Sequence, residues 1–102
     1  MNVNFRGIGF SVTEEERAFL DKKLKKLGFA EEYLQDLDIT AKKESKGIGF
    51  HIDAILHFTW KKEKAVSVDC YELLEGIESL ADKIQSAAKK EKEKTMGIYA
   101  NA

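Results

Sequence analysis

Two histidines and an aspartate could do chemistry together on one predicted strand. His51, Asp53 and His57 have the same parity in a run of alternating residues, so they share one face of that strand. Residues of these types can hold a metal ion or transfer protons. However, the two histidines are six residues apart, which is about 20 Å at roughly 3.3 Å per residue. We therefore expect ordinary polar residues on a sheet surface here, with no metal site and no catalytic centre.

The other candidates for chemistry are a cysteine and two glycine pairs. Cys70 is the single cysteine of the 102 residues. Neither histidine is close enough to it in sequence to act as its base. We expect it to be a small buried residue. Gly7-Ile8-Gly9 and Gly47-Ile48-Gly49 lack the spacing and the following lysine of a phosphate-binding loop. The sequence thus predicts no enzyme, no cofactor and no small-molecule substrate.

Basic residues are segregated along a chain whose formal net charge is only −1. The total charge gives no support for nucleic-acid binding, but the clusters could bind phosphates and release counterions. Acidic residues are grouped separately, around residues 31–38 and 69–82. The competing interpretation is that these lysines only coat a solvated surface. The basic groups are Arg17 to Lys26, Lys42 to Lys46, Lys61 to Lys64 and Lys89 to Lys94.

The first half of the chain predicts a strand, a helix and a second strand. Alternation from Val3 to Phe10 changes parity at Gly7, which predicts a bend or bulge in strand one. Thr13 and Glu16 form a capping box for helix one, and Gly28 can take the left-handed position that ends it. Alternation of apolar and polar residues over 37–42 then predicts the second strand.

The second half predicts a hairpin and a long helix. Apolar residues alternate from Phe50 to Trp60, and a fourth strand follows over 65–68. Asp69 offers a cap for helix two, which should run from about Cys70 to Lys94. Its apolar stripe repeats at spacings of four and three; the residues are Leu73, Ile77, Leu80, Ile84 and Ala87.

Together these elements predict one α+β domain of order β-α-β-β-β-α. Two helices with single apolar stripes should cover one face of a four-stranded sheet, with strands one and two parallel. We expect residues 1–95 to form this domain and residues 96–102 to be a flexible tail. No run is apolar enough for a membrane span, and the N-terminus has no signal-peptide pattern. We therefore expect a cytoplasmic protein with no membrane partner.

Three stretches in this order are similar to the ribosome hibernation-promoting factor family, which includes the ribosome-associated inhibitor of translation. The resemblance covers about residues 1–94. The first stretch is Val12-Thr13-Glu14 followed by Arg17, Phe19, Lys23, Lys26 and Leu27; the second is 53–58; the third is 77–84 followed by Lys90, Lys92 and Lys94.

The resemblance implies a fold like that of double-stranded RNA-binding domains and a non-catalytic function. Members bind the small ribosomal subunit in the channel of mRNA and tRNA, and block translation in stationary phase or stress. The chain resembles the short type, so we do not expect it to pair ribosomes alone. By resemblance, the side chains that contact rRNA are Arg17, Lys23, Lys26, Lys83, Lys90, Lys92 and Lys94.

A different class of function stays open beside this one. The same fold could serve as a protein-interaction module without RNA binding; one form of it is a homodimer through an exposed sheet edge or face. The charge clusters would then be solvated surface.

Overall fold

The computed structural model describes residues 1–45 and 47–101, apart from the side chains of residues 29 and 95–101. It has the predicted order of strands and helices, with one additional 3₁₀ helix between α1 and β2. The elements are β1 (Asn2–Ile8), α1 (Glu14–Leu24), a 3₁₀ helix (Lys25–Ala30), β2 (Leu34–Lys43), β3 (Phe50–Phe58), β4 (Glu63–Cys70) and α2 (Leu73–Asn101).

The strands form one mixed sheet in the order β1-β2-β3-β4. β1 is parallel to β2, and the two later pairs are antiparallel, which confirms the predicted pairing. A parallel pair needs a crossover, and the segment containing α1 supplies it. β1 and β4 are therefore the two edges of the sheet.

Both helices lie over one face of the sheet and cover its apolar residues. Alternate residues of the two central strands are buried on this side, as the sequence pattern predicts. The apolar stripe of α2 is buried against them, with Ile77, Leu80 and Ile84 at 0% exposure. Neither helix of the described chain covers the outer face of the sheet, which carries the alternating polar residues.

The first helix begins as predicted and ends differently. Thr13 Oγ1 accepts from the backbone N–H of Glu16, and the Glu16 carboxylate accepts from that of Thr13. The prediction that Gly28 stops the helix in the left-handed region is wrong, because positive φ among the described glycines is confined to Gly9 and Gly49. Instead the chain tightens into the 3₁₀ helix, whose i to i+3 repeat places Leu27 and Ala30 together in the core.

The bend predicted at Gly7 is also displaced. β1 continues through Gly7 in unbroken register with β2, and the turn comes at Gly9, with φ +82°. Gly7 has a different role: a Cβ there would lie 2.7 Å from the carbonyl oxygen of Phe10. The missing side chain lets the chain fold back closely after the strand.

The second helix starts three residues later than predicted. Asp69 is not its cap, because β4 continues to Cys70 and pairs residue 69 with His51 of β3. Ladder hydrogen bonds to the neighbouring strand thus outweigh the local capping signal. The described helix continues to Asn101, so residues 96–101 of the predicted tail have helical backbone. The predicted division at residue 95 stays a prediction, and Ala102 lies outside the described residues.

Candidate nucleic-acid interface

Three of the lysines predicted to contact RNA lie on one side of α2. Lys83, Lys90 and Lys94 are seven and four residues apart, and these spacings bring side chains to the same side of a helix with 3.6 residues per turn. Lys83 Nζ donates a hydrogen bond of 2.8 Å to the backbone carbonyl of Ser67. This side of α2 therefore faces β4, an edge of the sheet.

A groove separates α2 from β4 at this edge, with a cavity volume of about 330 Å³. We call it the β4–α2 groove. Its floor is apolar, and three lysines surround one acid. The lining residues are Lys64, Val66, Asp82, Lys83, Ser86, Ala87 and Lys90. Excess positive charge around a shallow open groove suits a phosphate backbone.

Lys64 is a groove residue that the predicted contact set missed. The sequence contained a signal for it, because Lys64 has the same parity as Val66 and Val68 in β4. Val68 is buried beneath the helices, so Lys64 must lie on the helix-bearing face too. The run of Lys61 to Lys64 reads as a loop in sequence, whereas in the structure β4 already begins at Glu63.

Lys92 lies away from the groove. Its Nζ is 5.5 Å from the centroid of the Tyr33 ring, and Tyr33 stacks on Trp60 at 5.6 Å between centroids. Glu91, the preceding residue, is 2% exposed. Its Oε1 forms an ion pair with Lys62 Nζ at 2.9 Å, although the two groups are not aligned for a hydrogen bond. These contacts hold the end of β3 and the β3–β4 turn against α2, and so fix the part of the helix that carries Lys90.

Two further lysines of the predicted contact set, Lys23 of α1 and Lys26 of the 3₁₀ helix, are paired with acids of α2. Lys23 Nζ lies 3.1 Å from Glu78 Oε1, and Lys26 pairs with Asp82. Lys23 also lies over the ring of Phe19, 5.2 Å from its centroid. Both pairs are partly exposed, so they could open to a phosphate. As they stand, their positive charge is compensated within the protein.

Arg17 is on the opposite edge of the sheet. Its Nη1 donates a hydrogen bond of 2.7 Å to the backbone carbonyl of Phe5 in β1, and its guanidinium lies 5.9 Å from the centroid of the Phe5 ring. An arginine on an edge-strand carbonyl covers a group that could otherwise pair with another chain. Three strand spacings of about 4.8 Å separate this edge from β4. The predicted contact residues therefore fall into separate areas.

The outer face of the sheet joins its histidines to carboxylates. His51 Nδ1 lies 2.6 Å from Asp69 Oδ1 and its Nε2 2.9 Å from Asp53 Oδ1. His57 bridges Asp38 of β2 and Glu63 of β4, at 2.9 and 3.1 Å. No group of three or more His, Cys, Asp or Glu within residues 1–45 and 47–101 is placed to hold a metal ion. This face carries five carboxylates, counting Asp36, together with Arg6, Lys42 and the two histidines, so it lacks the excess positive charge that suits a phosphate backbone.

Two pKa values on this face are shifted by these contacts. The hydrogen bond to Asp69 raises the pKa of His51, with Asp53 acting in the same direction. A hydrogen bond from Asn4, followed by the contact with His57, lowers the pKa of Asp38. Each shift favours the charged form of the residue that carries it.

Cys70 is half-buried between β3 and α2. Burial raises the pKa of its thiol, and the Sγ donates weakly to the carbonyl of Phe50 at 3.8 Å. A raised pKa disfavours the thiolate that a nucleophile needs.

Across the chain that the structure describes, no helix is long and apolar enough to cross a membrane.

Comparisons with known proteins agree with this fold. Residues 3–96 match the family described as sigma 54 modulation protein / S30EA ribosomal protein. A ribosomal subunit interface protein from Coxiella burnetii has a similar structure, with a TM-score of 0.80, 15% identity, and coverage of 90% of this chain and 98% of that one. The N-terminal domain of Protein Y from Thermus thermophilus gives 0.74 at 16% identity, covering 88% and 98%. No curated protein sequence matches significantly.

Proposed function

The chain belongs to the sigma 54 modulation protein / S30EA ribosomal protein family, and we propose that it is a ribosome-associated factor that silences translation without catalysis. The family match over residues 3–96 carries this proposal. In detail, we propose that it binds rRNA of the small subunit in the channel of mRNA and tRNA, under stress or in stationary phase. Occupying that channel blocks translation by shape and charge alone.

The β4–α2 groove is the part of the surface that best suits this role. Lys64, Lys83 and Lys90 line it, and no described acid except Asp82 reduces their charge there. Lysines act on phosphates as point charges, so such contacts would position the protein rather than read sequence. We place Lys23 and Lys26 second, because each must leave an acid of α2 to meet a phosphate. Arg17 and Lys92 would be peripheral.

Co-sedimentation with purified small ribosomal subunits at rising salt tests the proposal. We expect binding that weakens steeply with salt, because each neutralised phosphate releases counterions, and that tRNA competes away. Absence of co-sedimentation at every salt concentration would contradict the ribosomal function. Binding that tRNA leaves intact would place the protein outside the channel.

A double charge reversal tests the groove. We expect Lys83→Glu with Lys90→Glu to reduce small-subunit affinity by about 100-fold or more, since four units of charge change at the interface. Lys42→Glu with Lys43→Glu is the matched control, with the same change in net charge on β2. Equal losses in both variants would mean that net charge acts at a distance and that the groove is not the contact surface.

A further inference from the structure

Each of the two edge strands of the sheet has a basic side chain of a helix bonded to its backbone. At the β1 edge, Arg17 of α1 donates to the carbonyl of Phe5 at 2.7 Å. At the β4 edge, Lys83 of α2 donates to the carbonyl of Ser67 at 2.8 Å. The same arrangement thus occurs twice, on opposite edges and from different helices. We call Arg17 and Lys83 the edge cations.

Both carbonyls lie at the centre of the backbone that their edge exposes. Successive residues of a strand direct their N–H and C=O groups to opposite sides, so residues 3 and 7 of β1 share the outward direction of Phe5. Beside the start of β4, the N–H of Phe58 donates to the carbonyl of Lys62 at 2.9 Å. The alternation of the antiparallel ladder from that pair turns residues 65, 67 and 69 outwards. Phe5 and Ser67 are the middle residues of these two sets.

Other devices that protect sheet edges are few in these two strands. Natural edges are protected by proline, by bulges or by charged side chains. The chain has no proline, and both edge strands pair with their neighbours in unbroken register. Arg6 is the only charged residue of β1, and residues 65–68 at the centre of β4 are uncharged. Regular edges of this kind can add a strand of another chain through backbone hydrogen bonds.

An added strand would have to displace the edge cations. Its central N–H would compete for a carbonyl that already accepts from a charged donor, and such bonds are roughly twice as strong as neutral ones. A second copy paired about Phe5 or Ser67 would bring its own cation to the same place, so two like charges would meet. Arg17 also lies against the Phe5 ring, 5.9 Å from its centroid, and so covers the strand beside its carbonyl.

We propose that Arg17 and Lys83 keep the chain monomeric by occupying the central carbonyl of each sheet edge. The partner that they exclude is the edge strand of a second copy. This role requires no RNA, so it holds whether or not the chain binds a ribosome. It opposes a homodimer formed through a sheet edge, one of the arrangements that the sequence leaves open.

Sedimentation velocity of the purified chain, without nucleic acid and over a range of concentrations, tests this role. Serine is too short to reach either carbonyl and adds no apolar surface. Arg17→Ser and Lys83→Ser each open one edge, so each variant should form a dimer and stop there, because two-fold pairing uses the one open edge. The double variant opens both edges and should form larger, open-ended assemblies. The concentration at which half of the protein is associated should fall at least about tenfold below that of the parent protein.

Two control variants separate the edge contacts from net charge. Lys22→Ser with Lys90→Ser removes the same charge from the same two helices and leaves both edge cations in place, so it should remain monomeric. Arg17→Lys with Lys83→Arg keeps a charged donor for each carbonyl and should also remain monomeric. Both edge cations are exposed, so thermal unfolding of every variant should match that of the parent protein.

Amide hydrogen exchange locates the contact. In the Arg17→Ser dimer, exchange should slow at residues 3, 5 and 7, whose N–H groups point outwards. A monomeric double serine variant at every concentration would overturn the proposal. Equal association of the Lys22 and Lys90 control would assign the effect to net charge instead. Slowed exchange confined to the outer face or to the helices would also contradict it, because the copies would then meet away from the edges.

Discussion

At the scale of single residues, the same residue types have roles that differ with their neighbours. Lys83 and Lys23 are both helix lysines, yet one lines an open groove beside a backbone carbonyl and the other is paired with Glu78. His51 has the residue type of a catalyst or metal ligand, yet it joins two carboxylates across β3 and β4. Sequence identifies which groups can act, and their partners decide what they do.

His51 should make the stability of the fold depend on pH. Its pKa is raised in the folded protein, so its stabilising contribution is complete below the unfolded value of about 6.5 and is lost as pH rises through the folded value. We expect His51→Gln to lower the free energy of unfolding more at pH 5.5 than at pH 8. The difference should stay under about 1 kcal/mol, because the imidazole is one-third exposed and screened by solvent.

Urea unfolding of both proteins at the two pH values measures this effect. A loss of equal size at pH 5.5 and pH 8 would mean that His51 contributes through neutral packing alone, with no charged pairing to Asp69 and Asp53.

At the scale of elements, α2 packs closely against the sheet at a glycine. A Cβ at Gly76 would lie 2.3 Å from Cys70 Sγ and 2.9 Å from Ile52 Cδ1. We expect Gly76→Ala to destabilise the protein by about 1–3 kcal/mol through overpacking. Gly28→Ala is the control: nothing lies within 4 Å of its Cβ position, so it should raise stability by up to about 1 kcal/mol. Equal changes in the denaturation midpoint would contradict this packing.

The predicted elements were correct where a pattern depended only on residues close in sequence. The capping box at Thr13, the alternation of β3 and the stripe of α2 each depend on local spacing, and all three are confirmed. The errors at Gly7, Gly28 and Asp69 share another cause. At each, a contact between distant parts of the chain overrides the local signal. Gly7 pairs with β2, the segment of Gly28 buries Ala30, and Asp69 pairs with β3.

The candidate interface depends even more on contacts between distant parts of the chain, which local sequence patterns do not specify. Parity along β4 could have placed Lys64 on the helix-bearing face, but only the packing of α2 against β4 puts it beside Lys83 and Lys90. Likewise, the sequence contains Glu78 and Asp82 as ordinary helix acids. That they face Lys23 and Lys26 follows from how the two helices lie side by side, which no local spacing specifies.

The ion pairs of Lys23 with Glu78 and of Lys26 with Asp82 can be tested by a gain of function. We expect Glu78→Gln with Asp82→Asn to tighten small-subunit binding and steepen its salt dependence, because Lys23 and Lys26 become available to phosphates and the groove loses its one described acid, Asp82. Stability should change by less than about 1 kcal/mol, since the pairs are exposed. Glu31→Gln with Glu32→Gln removes the same charge elsewhere. An equal gain in that control, measured by co-sedimentation, would assign the effect to net charge.

At the scale of the whole molecule, charge differs from one surface to another while the total stays near neutral. The β4–α2 groove is basic, and the outer face of the sheet carries carboxylates joined to histidines. A formal net charge of −1 therefore says little about what the protein binds. A polyanion should meet this molecule in one orientation, with the groove towards RNA and the sheet face away from it.

Site-specific crosslinking tests this orientation directly. In a Cys70→Ala background, a photoreactive group attached at Ser86→Cys in the groove should crosslink small-subunit rRNA on illumination, because the side chain at that position lines the proposed contact surface. The same group at Ala65→Cys, which is exposed on the outer face, should crosslink RNA weakly or not at all, since that face lacks the excess positive charge of the groove. Primer extension on the recovered rRNA measures both positions. Strong crosslinks from position 65 with none from position 86 would reverse the orientation and assign RNA binding to the sheet face instead.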